Sequence, residues 1–462
     1  MFTNRTVLLA AVAASLAGFL FGFDTIVISG ADRPIQELWQ TGDLFHGMFI
    51  MSMALWGTVI GALFGGIPSD ALGRRTTLLW IGILYLLSAL GSAFAPNPYV
   101  FSFARFIGGL GVGASSVAVP TYVSEITPAR NRGKLVALYQ FNIVFGILVA
   151  YISNYLIGIS FGATAWRWML GVEAIPAALY IFFVAGVPES PRWLLFRKKD
   201  EAAARKLLQR LNPTEDVDAM IAIIKNSVSK EVPLSDFLSR TFRFPIVLAF
   251  LVAFFNQMSG INFILYYAPR ILEQAGIVAA DALGASISIG VVNLLFTLLG
   301  MYLIDWAGRK QLLYAGSFGY IASLGGVSWA FFSGTEGVMV VVFVCAFIAS
   351  HAVGQGAVIW VFISEIFPNA VRDYGMSLGA GTHWVCAAVI TLVTPTVLST
   401  FSGGEIFAFF AGMMVLQLLF VGLLMPETKG KTLEELESEL GLATDELDEM
   451  LQSGSAPAAG ER

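Results

Sequence analysis

The chain has 462 residues, of which 56% are hydrophobic and only 13% are charged, and its formal net charge is −5. Soluble domains carry about 25% charged residues, so this composition excludes an ordinary soluble domain and indicates a membrane protein. The small net charge gives no reason to expect a nucleic-acid partner. Two cysteines and three histidines provide neither a disulfide framework nor a metal site, so we expect no metal, no cofactor and no catalytic centre.

Twelve runs along the chain are long enough to cross the hydrocarbon core, which takes about 20 mostly apolar residues per helix. The first run is too long for a signal-peptide core, so we expect it to be retained as a spanning helix. Their approximate limits are 6–30, 44–68, 76–95, 98–122, 134–158, 166–187, 244–272, 283–305, 312–333, 338–366, 375–400 and 404–425.

Lys and Arg residues predict the orientation of these spans, because they concentrate in cytoplasmic segments. With both termini inside, all but four of the 27 basic residues fall on the cytoplasmic side. The exceptions are Arg33, Arg105, Arg167 and Arg270. The opposite orientation would place the basic segment 188–243 outside, and we reject it.

The spans predict four regions. Residues 1–187 form an N-terminal six-helix bundle, 188–243 a cytoplasmic linker with short helices, 244–425 a C-terminal six-helix bundle, and 426–462 a cytoplasmic tail. The linker stretch "KDEAAARKLLQRL" predicts a helix. In the tail, "TLEELESELGLATDELDEML" predicts an acidic amphipathic helix, and "QSGSAPAAGER" after it is typical of disorder.

Three short motifs occur twice at nearly one offset. "DALGRR" at 70–75 recurs as "DWAGRK" at 305–310, "SEITPARNR" recurs as "SEIFPNAVR", and "PESPRWL" recurs as "PETKGKTL". The offsets are 235, 240 and 238 residues. A duplication that gave two six-helix halves explains them. Many secondary transporters are built from such repeats, with the binding site between the halves.

The repeated motifs place acidic beside basic residues at predicted cytoplasmic helix ends. We expect ion pairs there that hold the inner ends of the two halves together in one state and separate in another. The alternative is that the basic side chains only anchor the helices at lipid headgroups. The candidate gate residues are Asp70, Arg74, Arg75, Glu125, Arg132, Asp305, Arg309, Glu365 and Arg372.

The same motifs, together with "NQMSGINFILYY" at 256–267, resemble the sugar porter family of the major facilitator superfamily. This family includes proton-coupled bacterial pentose and hexose symporters and the glucose facilitators. The motifs extend from residue 65 to 430, and their shared order and spacing are specific. The resemblance implies an all-α membrane protein with twelve transmembrane helices in two six-helix repeats, which is the major facilitator fold.

Three ionisable residues share a level within the first half. Asp24 lies about 9 Å from the outer end of its helix, and Arg105 and Glu173 lie about 10 Å into two descending helices. Because Arg105 keeps its charge, two carboxylates can compete for it. We hypothesise a proton switch in which protonation of Asp24 releases Arg105. The alternatives are a static buried ion pair, an Arg105 that reaches the headgroups, and a purely structural pair at Glu173.

The resemblance supports the switch. Proton-coupled sugar porters carry an Asp at the position of Asp24, whereas uniporting relatives usually have a neutral residue there. It also implies that Arg105 and Glu173 are the partners of this acid. One departure is Ala104, where the family usually has Gly.

The spans of the second half contain almost no charge and carry amides instead, which suits a neutral polyol, because an amide both donates and accepts hydrogen bonds. Flat Trp rings can cover the apolar face of a sugar. The resemblance implies a sugar-binding set of Gln140, Asn256, Gln257, Asn262, Tyr266, Asn293, Trp360, His383 and Trp384. The alternative is that these amides bond neighbouring helices and that the aromatics only pack. Gly260 is a weak point in its helix that could free backbone groups beside a cavity.

Three residues depart from the family pattern, so the identity of the sugar and the pairing at the cytoplasmic gate stay open. Asn256 stands where Gln is more common, His383 stands where relatives carry an amide, and Asp373 stands where Gly is common. His383 could bond a sugar hydroxyl or only a neighbouring helix.

The sequence therefore predicts a transporter without enzymatic activity that imports a neutral monosaccharide by proton symport through alternating access. The expected partners are a hexose or pentose such as glucose, galactose or xylose, a proton and the lipid bilayer. We expect a monomer in the plasma membrane, specifically a bacterial inner membrane, with both termini in the cytoplasm. The alternatives are a facilitative uniporter of the same fold and a sugar sensor that does not transport; a drug antiporter fits the amide-rich second half less well.

Overall fold

The computed structural model describes residues 4–213, 215–226, 233–335, 337–440 and 442. Within these ranges the chain forms helices and no β-strand. The predicted disordered end of the tail, and the part of its predicted helix after Leu442, lie outside the described residues.

The first six spans form the N-terminal bundle. Its helices are α1 Arg5–Trp39, α2 Asp43–Phe45, α3 Met53–Phe64, α4 Gly66–Leu72, α5 Arg74–Ala93, α6 Pro98–Ile126, α7 Ala129–Phe161, α8 Ala165–Gly171 and α9 Ala174–Val184. A π-helical turn, His46–Met51, connects α2 to α3, and a 3-10 turn, Gly162–Thr164, precedes α8.

Four short helices follow at one end of the bundle, which we call the linker end; the opposite end is the far end. They are α10 Pro191–Phe196, α11 Glu201–Leu211, α12 Val217–Asn226 and α13 Leu234–Phe237. The predicted linker helix is confirmed as α11, which begins at the N-cap Asp200. The amide of Asn4 donates to the carbonyls of Arg210 and Leu211 at 2.6 and 2.8 Å, so α1 begins at the linker end and ends at the far end.

The last six spans form the C-terminal bundle, and one short helix follows them. These helices are α14 Arg243–Met258, α15 Ile261–Gln274, α16 Ala279–Ala307, α17 Arg309–Ser333, α18 Val338–Val353, α19 Gln355–Glu365, α20 Arg372–Thr400, α21 Gly403–Leu423 and α22 Leu433–Glu439. The predicted tail helix thus begins at Leu433, with Thr432 as its N-cap.

The twelve predicted spans are confirmed. By length and hydropathy, nine helical runs in the described residues could cross a membrane. One of them, Arg130–Val184, contains both the fifth and the sixth span, and the bent pair Asp43–Met51 and Met53–Phe64 forms the second. Helix α17 occupies the remaining position. The described helices are thus arranged as the two six-span halves that the resemblance implies.

Two spans of the C-terminal bundle break at glycine. Gly260 separates α14 from α15 with φ of +85°, a left-handed conformation that costs an L side chain free energy but costs glycine none. This confirms the weak point predicted from the sequence. Gly354 separates α18 from α19. Such breaks are tolerated in a membrane when they lie against other helices or a cavity.

Helix α1 is longer than the sequence predicted. The apolar run ends near Gly30, where Asp32 and Arg33 begin a polar stretch, but the helix continues through Pro34 to Trp39. It continues because Asp32 is 1% exposed and its carboxylate has partners on other elements. Hydropathy alone therefore placed the end of this helix too early.

The bundles are packed through glycine, which allows close helix contact without a hydrophobic drive. A Cβ on Gly109 of α6 would lie 1.9 Å from the carbonyl oxygen of Ala54 on α3. One on Gly113 would lie 2.3 Å from the carbonyl oxygen of Thr58. Helices α3 and α6 are therefore in backbone contact.

Replacing Gly109 with Ala should destabilise the detergent-solubilised protein by about 1–3 kcal/mol, because the added methyl group overpacks the α3–α6 contact. Thermal unfolding monitored by tryptophan fluorescence would measure the shift. Gly412→Ala on α21 is the matched control, since nothing lies within 4 Å of a Cβ there. Equal melting temperatures for the two variants would contradict this account of the packing.

Candidate functional site

The core of the site in the N-terminal bundle is an ion pair between α1 and α6. Arg105 Nη1 donates to Asp24 Oδ1 at 2.5 Å, and Nη2 donates to Oδ2 at 3.2 Å and to the Asp24 carbonyl at 3.1 Å. Both side chains are almost wholly buried. A Cβ on Gly108 would lie 2.3 Å from the Ser88 hydroxyl oxygen and 3.5 Å from Asp24 Oδ1, so the missing side chain leaves room for Ser88 beside the pair.

Glu173 belongs to the same group and neighbours Asp24. It is 1% exposed, it lies between α8 and α9, and among the described residues neither carboxyl oxygen makes a hydrogen bond of ordinary geometry. Asp24 and Arg105 are the charged groups that act on it, and the Asp24 carboxyl is also its hydrogen-bonding neighbour. The structure thus brings the three predicted residues together, with one cation between two carboxyls and only one carboxyl paired.

Tyr266 reaches this group from the C-terminal bundle. The side chain, on α15, is 2% exposed, and Arg105, Asp24 and Thr25 are its polar neighbours. It was predicted to contact sugar. In this structure it faces the ion pair and connects the two bundles at that level.

The amides of the C-terminal bundle form a continuous chain of hydrogen bonds. Asn262 Nδ2 donates to Gln257 Oε1 at 2.7 Å, and Gln257 Nε2 donates to Asn256 Oδ1 at 2.9 Å. The same Nε2 lies 3.2 Å from both ring nitrogens of His383 on α20. The break at Gly260 turns the chain between Gln257 and Asn262, so their side chains meet.

Aromatic rings cover one side of this amide cluster. The ring centroid of His383 lies 5.2 Å from that of Trp360 and 4.7 Å from that of Trp384. Phe21, from α1, lies 5.7 Å from Trp384 and brings the first bundle to the cluster. Phe21 was not among the site residues predicted from the sequence, although it lies three residues before Asp24 on the same helix.

Two further predicted residues lie on facing helices. Asn293, on α16, is 8% exposed and accepts a hydrogen bond from Thr297 at 3.4 Å. Gln140, on α7, is half-buried. Together with the amide cluster they place neutral polar groups on both bundles.

At the linker end, the repeated motifs form matching clusters. In the first bundle, Arg74 pairs with Glu125 at 3.0 Å and with Asp70 at 2.7 Å. In the second, Arg309 pairs with Glu365 at 2.7 Å. Each pair lies inside one bundle, so in this conformation they do not join the two halves as the sequence analysis expected.

The remaining gate candidates also differ from the expectation. Glu125 and Glu365 bond the arginines of the other motif, so Arg132 and Arg372 do not pair with them. Among the described residues, Arg372 donates to the Phe367 carbonyl at 3.4 Å, and Arg75 donates to the Ala185 carbonyl at 2.5 Å. Asp305, like Arg132, is exposed and has no partner among the described residues.

Two glutamates that were not predicted from the sequence complete these clusters. Glu189 Oε1 accepts from the backbone N–H groups of Arg74 and Arg75 at 2.8 and 3.1 Å. Glu427 does the same for the backbone N–H groups of Arg309 and Lys310, both at 3.0 Å. Both are the Glu of the repeated "PES" and "PET" motifs, so the repeat itself was the signal that could have found them.

The bundles are joined at the far end. Among the described residues, the ion pairs that connect the two bundles are Arg33–Glu273 and Arg270–Asp32, and both lie there. A Cβ on Gly47 would lie 1.9 Å from the carbonyl oxygen of Leu392 on α20, so the backbones also touch at this end. The structure is therefore closed at the far end, and its linker-end ion pairs lie within single bundles.

Comparison with known proteins gives concordant results. The sequence matches the family described as "Sugar (and other) transporter" over residues 10–440. The glucose transport protein of Synechocystis is 36% identical over 457 residues, which cover 94% of this chain and 97% of that protein. The D-xylose-proton symporter of Escherichia coli is 35% identical over 466 residues, covering 92% and 94%.

A solved structure resembles the whole chain. The xylose transporter from Escherichia coli in its inward-open conformation has a TM-score of 0.83 and 33% sequence identity, and the match covers 94% of this chain and 99% of that one.

The Glu427 carboxylate should stabilise the linker end in a pH-dependent way. Burial alone raises its pKa, but the backbone N–H groups of Lys429, Arg309, Lys310 and Thr428 outweigh burial and lower the pKa below its ordinary value. A lowered carboxyl pKa stabilises the fold above the unfolded-state pKa, and this contribution is lost as the pH falls through the folded-state pKa.

Glu427→Gln should therefore lower the melting temperature at neutral pH, and the difference from wild type should shrink as the pH falls below about 4.5. Differential scanning fluorimetry across this range would measure it, with the exposed Glu215→Gln as control. A difference that stays constant down to acid pH would show that the charge of Glu427 contributes nothing.

Proposed function

Because the chain belongs to the sugar transporter family, we propose that it imports a neutral monosaccharide together with a proton by alternating access. The observation that carries this proposal is the buried group of Asp24, Arg105 and Glu173, in which one cation lies between two carboxyls. Relatives with named substrates are a glucose transport protein, D-xylose-proton symporters and an arabinose-proton symporter. D-xylose is our first candidate, and other pentoses and hexoses are the next.

The proton site follows from charge balance in an apolar interior. Arg105 stays charged and needs an anion, while a second unpaired carboxylate in the same place would cost several kcal/mol. Glu173 is not bonded to Arg105 among the described residues and neighbours Asp24, so this arrangement suits a neutral Glu173 and an ionised Asp24. If Asp24 takes up a proton and Glu173 gives its own proton up, Arg105 can pair with Glu173 instead, and the total charge of the group is unchanged.

The coupling step runs through α1 and α15. Tyr266 brings the C-terminal bundle against Asp24 and Arg105, and Phe21 brings α1 against Trp384 in the aromatic cluster. A sugar that draws the two bundles together therefore changes the surroundings of the ion pair. We infer that closure around sugar requires the neutral form of Asp24.

The sugar site is the amide cluster and its aromatic cover. Asn256, Gln257 and Asn262 now satisfy one another, and a sugar hydroxyl can replace these bonds because each amide both donates and accepts. Trp360 and Trp384 are flat, apolar surfaces of the kind that cover sugar C–H groups. The region carries no fixed charge of its own, so a neutral ligand is favoured.

The far end is the outside in this proposal, and the linker end is the cytoplasm. The structure then corresponds to the state that releases sugar and proton inward. We propose a monomer in the bacterial inner membrane with both termini inside. The four regions are 1–187, 188–243, 244–425 and 426–462. The linker-end ion pairs act as the cytoplasmic gate when the carrier faces outward.

Asp24→Asn should abolish proton-driven accumulation and retain exchange, since an amide preserves the shape but can neither take up nor release the proton. Labelled D-xylose uptake into proteoliposomes, with and without a pH gradient, would measure accumulation, and counterflow would measure exchange. The exposed Asp281→Asn is the matched control. A variant that still concentrates xylose under the pH gradient would overturn the assignment of Asp24.

The same experiment separates the other functions that the sequence left open. A uniporter would show counterflow in the wild type but no response to the pH gradient. A sensor would bind the sugar and show neither counterflow nor accumulation.

Gln257→Ala should weaken sugar binding about 10- to 100-fold, because it removes the amide that links Asn256, Asn262 and His383. Isothermal titration calorimetry with D-xylose would give the Kd. His383→Gln, which restores the amide common in the family, should bind within a few-fold of wild type. An unchanged Kd for Gln257→Ala would remove this cluster from the sugar site.

A further inference from the structure

The far end carries two ion pairs of opposite polarity between the same two helices. On α1, Asp32 and Arg33 are adjacent; on α15, Arg270 and Glu273 are one turn apart. Arg33 Nε lies 2.9 Å from Glu273 Oε2, and Arg270 Nη1 lies 3.5 Å from Asp32 Oδ2. Each helix therefore contributes one acid and one base, and the match holds in only one register.

The acid of one pair is fixed from its own bundle. His46, which is fully buried, donates through Nε2 to Asp32 Oδ1 at 2.8 Å, and its Nδ1 shares a hydrogen bond with Thr41 Oγ1 at 3.1 Å. His46 begins the π-helical turn, a distortion that is frequent at functional sites. Asp32 thus presents its second oxygen to Arg270 in a preset position.

Arg270, the base of the Asp32–Arg270 pair, is also held in place by hydrogen bonds. Arg270 Nη1 also donates to Gln36 Oε1 at 3.1 Å, and Gln36 Nε2 donates to Asp43 Oδ1 at 2.8 Å. Asp43 in turn faces Ser399 on α20. The charged groups around His46 are therefore Asp32 on α1, Asp43 on α2 and Arg270 on α15.

We propose that the Arg33–Glu273 and Asp32–Arg270 pairs form an ionic latch that holds the far end closed in this conformation and opens when the carrier faces the other way. The latch lies where opening admits water, so the separated charges become hydrated and are not left in lipid. A charged pair at this place can therefore break in each cycle without a new partner or a change of protonation, which a buried pair such as Asp24–Arg105 would need.

The test uses distances between spin labels in nanodiscs. Leu38→Cys on α1 and Val278→Cys before α16 are exposed far-end positions on opposite bundles, and Cys345→Ser and Cys386→Ser remove the native thiols. With the native latch residues, the short distance between the two spin labels, which corresponds to the closed far end, should predominate. Arg33→Glu and Glu273→Arg should each raise the long-distance to short-distance ratio about threefold or more, and the double reversal should restore it.

A second set of variants covers the case in which a reversed charge disturbs folding. A double-mutant cycle uses Arg33→Gln, Glu273→Gln and the variant with both substitutions. Once one substitution has removed the ion pair, the second should change the distance ratio little further. Asp32→Asn should shift the ratio more than Arg33→Gln, because its pair is more deeply buried.

Single variants that leave the distances unchanged, or a double reversal that stays as open as the single ones, would overturn the latch. So would additive effects in the neutral cycle. The measurement reads distance and not uptake, so its failure would leave the proposal of proton-coupled import standing.

Discussion

A guanidinium group that cannot lose its charge lies inside the first bundle, and the polar design of the site depends on it. Arg105 is 1% exposed, with Asp24 bonded to it and Glu173 beside it without a bond. In an apolar interior the cation must always have one anion, and a second anion must be neutralised. A single proton is therefore enough to decide which acid holds the arginine, and any movement that favours one acid moves that proton.

The two bundles differ in the chemistry of the side chains that they contribute to the site. At the depth of the site, the first bundle holds the charged group around Arg105, whereas the second holds the amides Asn256, Gln257 and Asn262 and the rings around His383. Neutral amides can exchange partners with a sugar at small cost, because each lost bond is replaced by another. Charges cannot do so, which explains why they are kept within one bundle and away from the ligand. Tyr266 and Phe21 are the side chains that connect the two regions.

Much of this could be read from the sequence, and the limits have physical causes. The equal depth of Asp24 and Arg105 follows from counting residues along helices of fixed rise, so their pairing was predictable. It was not predictable that Glu125 would pair with Arg74 and not with Arg132, because motif spacing does not fix the direction in which a side chain points. The length of α1 was missed, since burial of Asp32 depends on His46 and Arg270, which are distant in sequence. Glu189 and Glu427 recur in the repeated motifs, but their role was overlooked because their partners are backbone N–H groups, which a pattern of side chains does not display.

Helix α1 carries Asp24 near its middle and Asp32 two turns later, about 12 Å along the axis. Between two such points a helix behaves as a stiff rod. Under the proposed function, the far-end opening for sugar and the acid that carries the proton therefore lie on one rigid helix. A nanobody that holds the far end open would then shift this helix at Asp24 and so change proton release without contacting the acid.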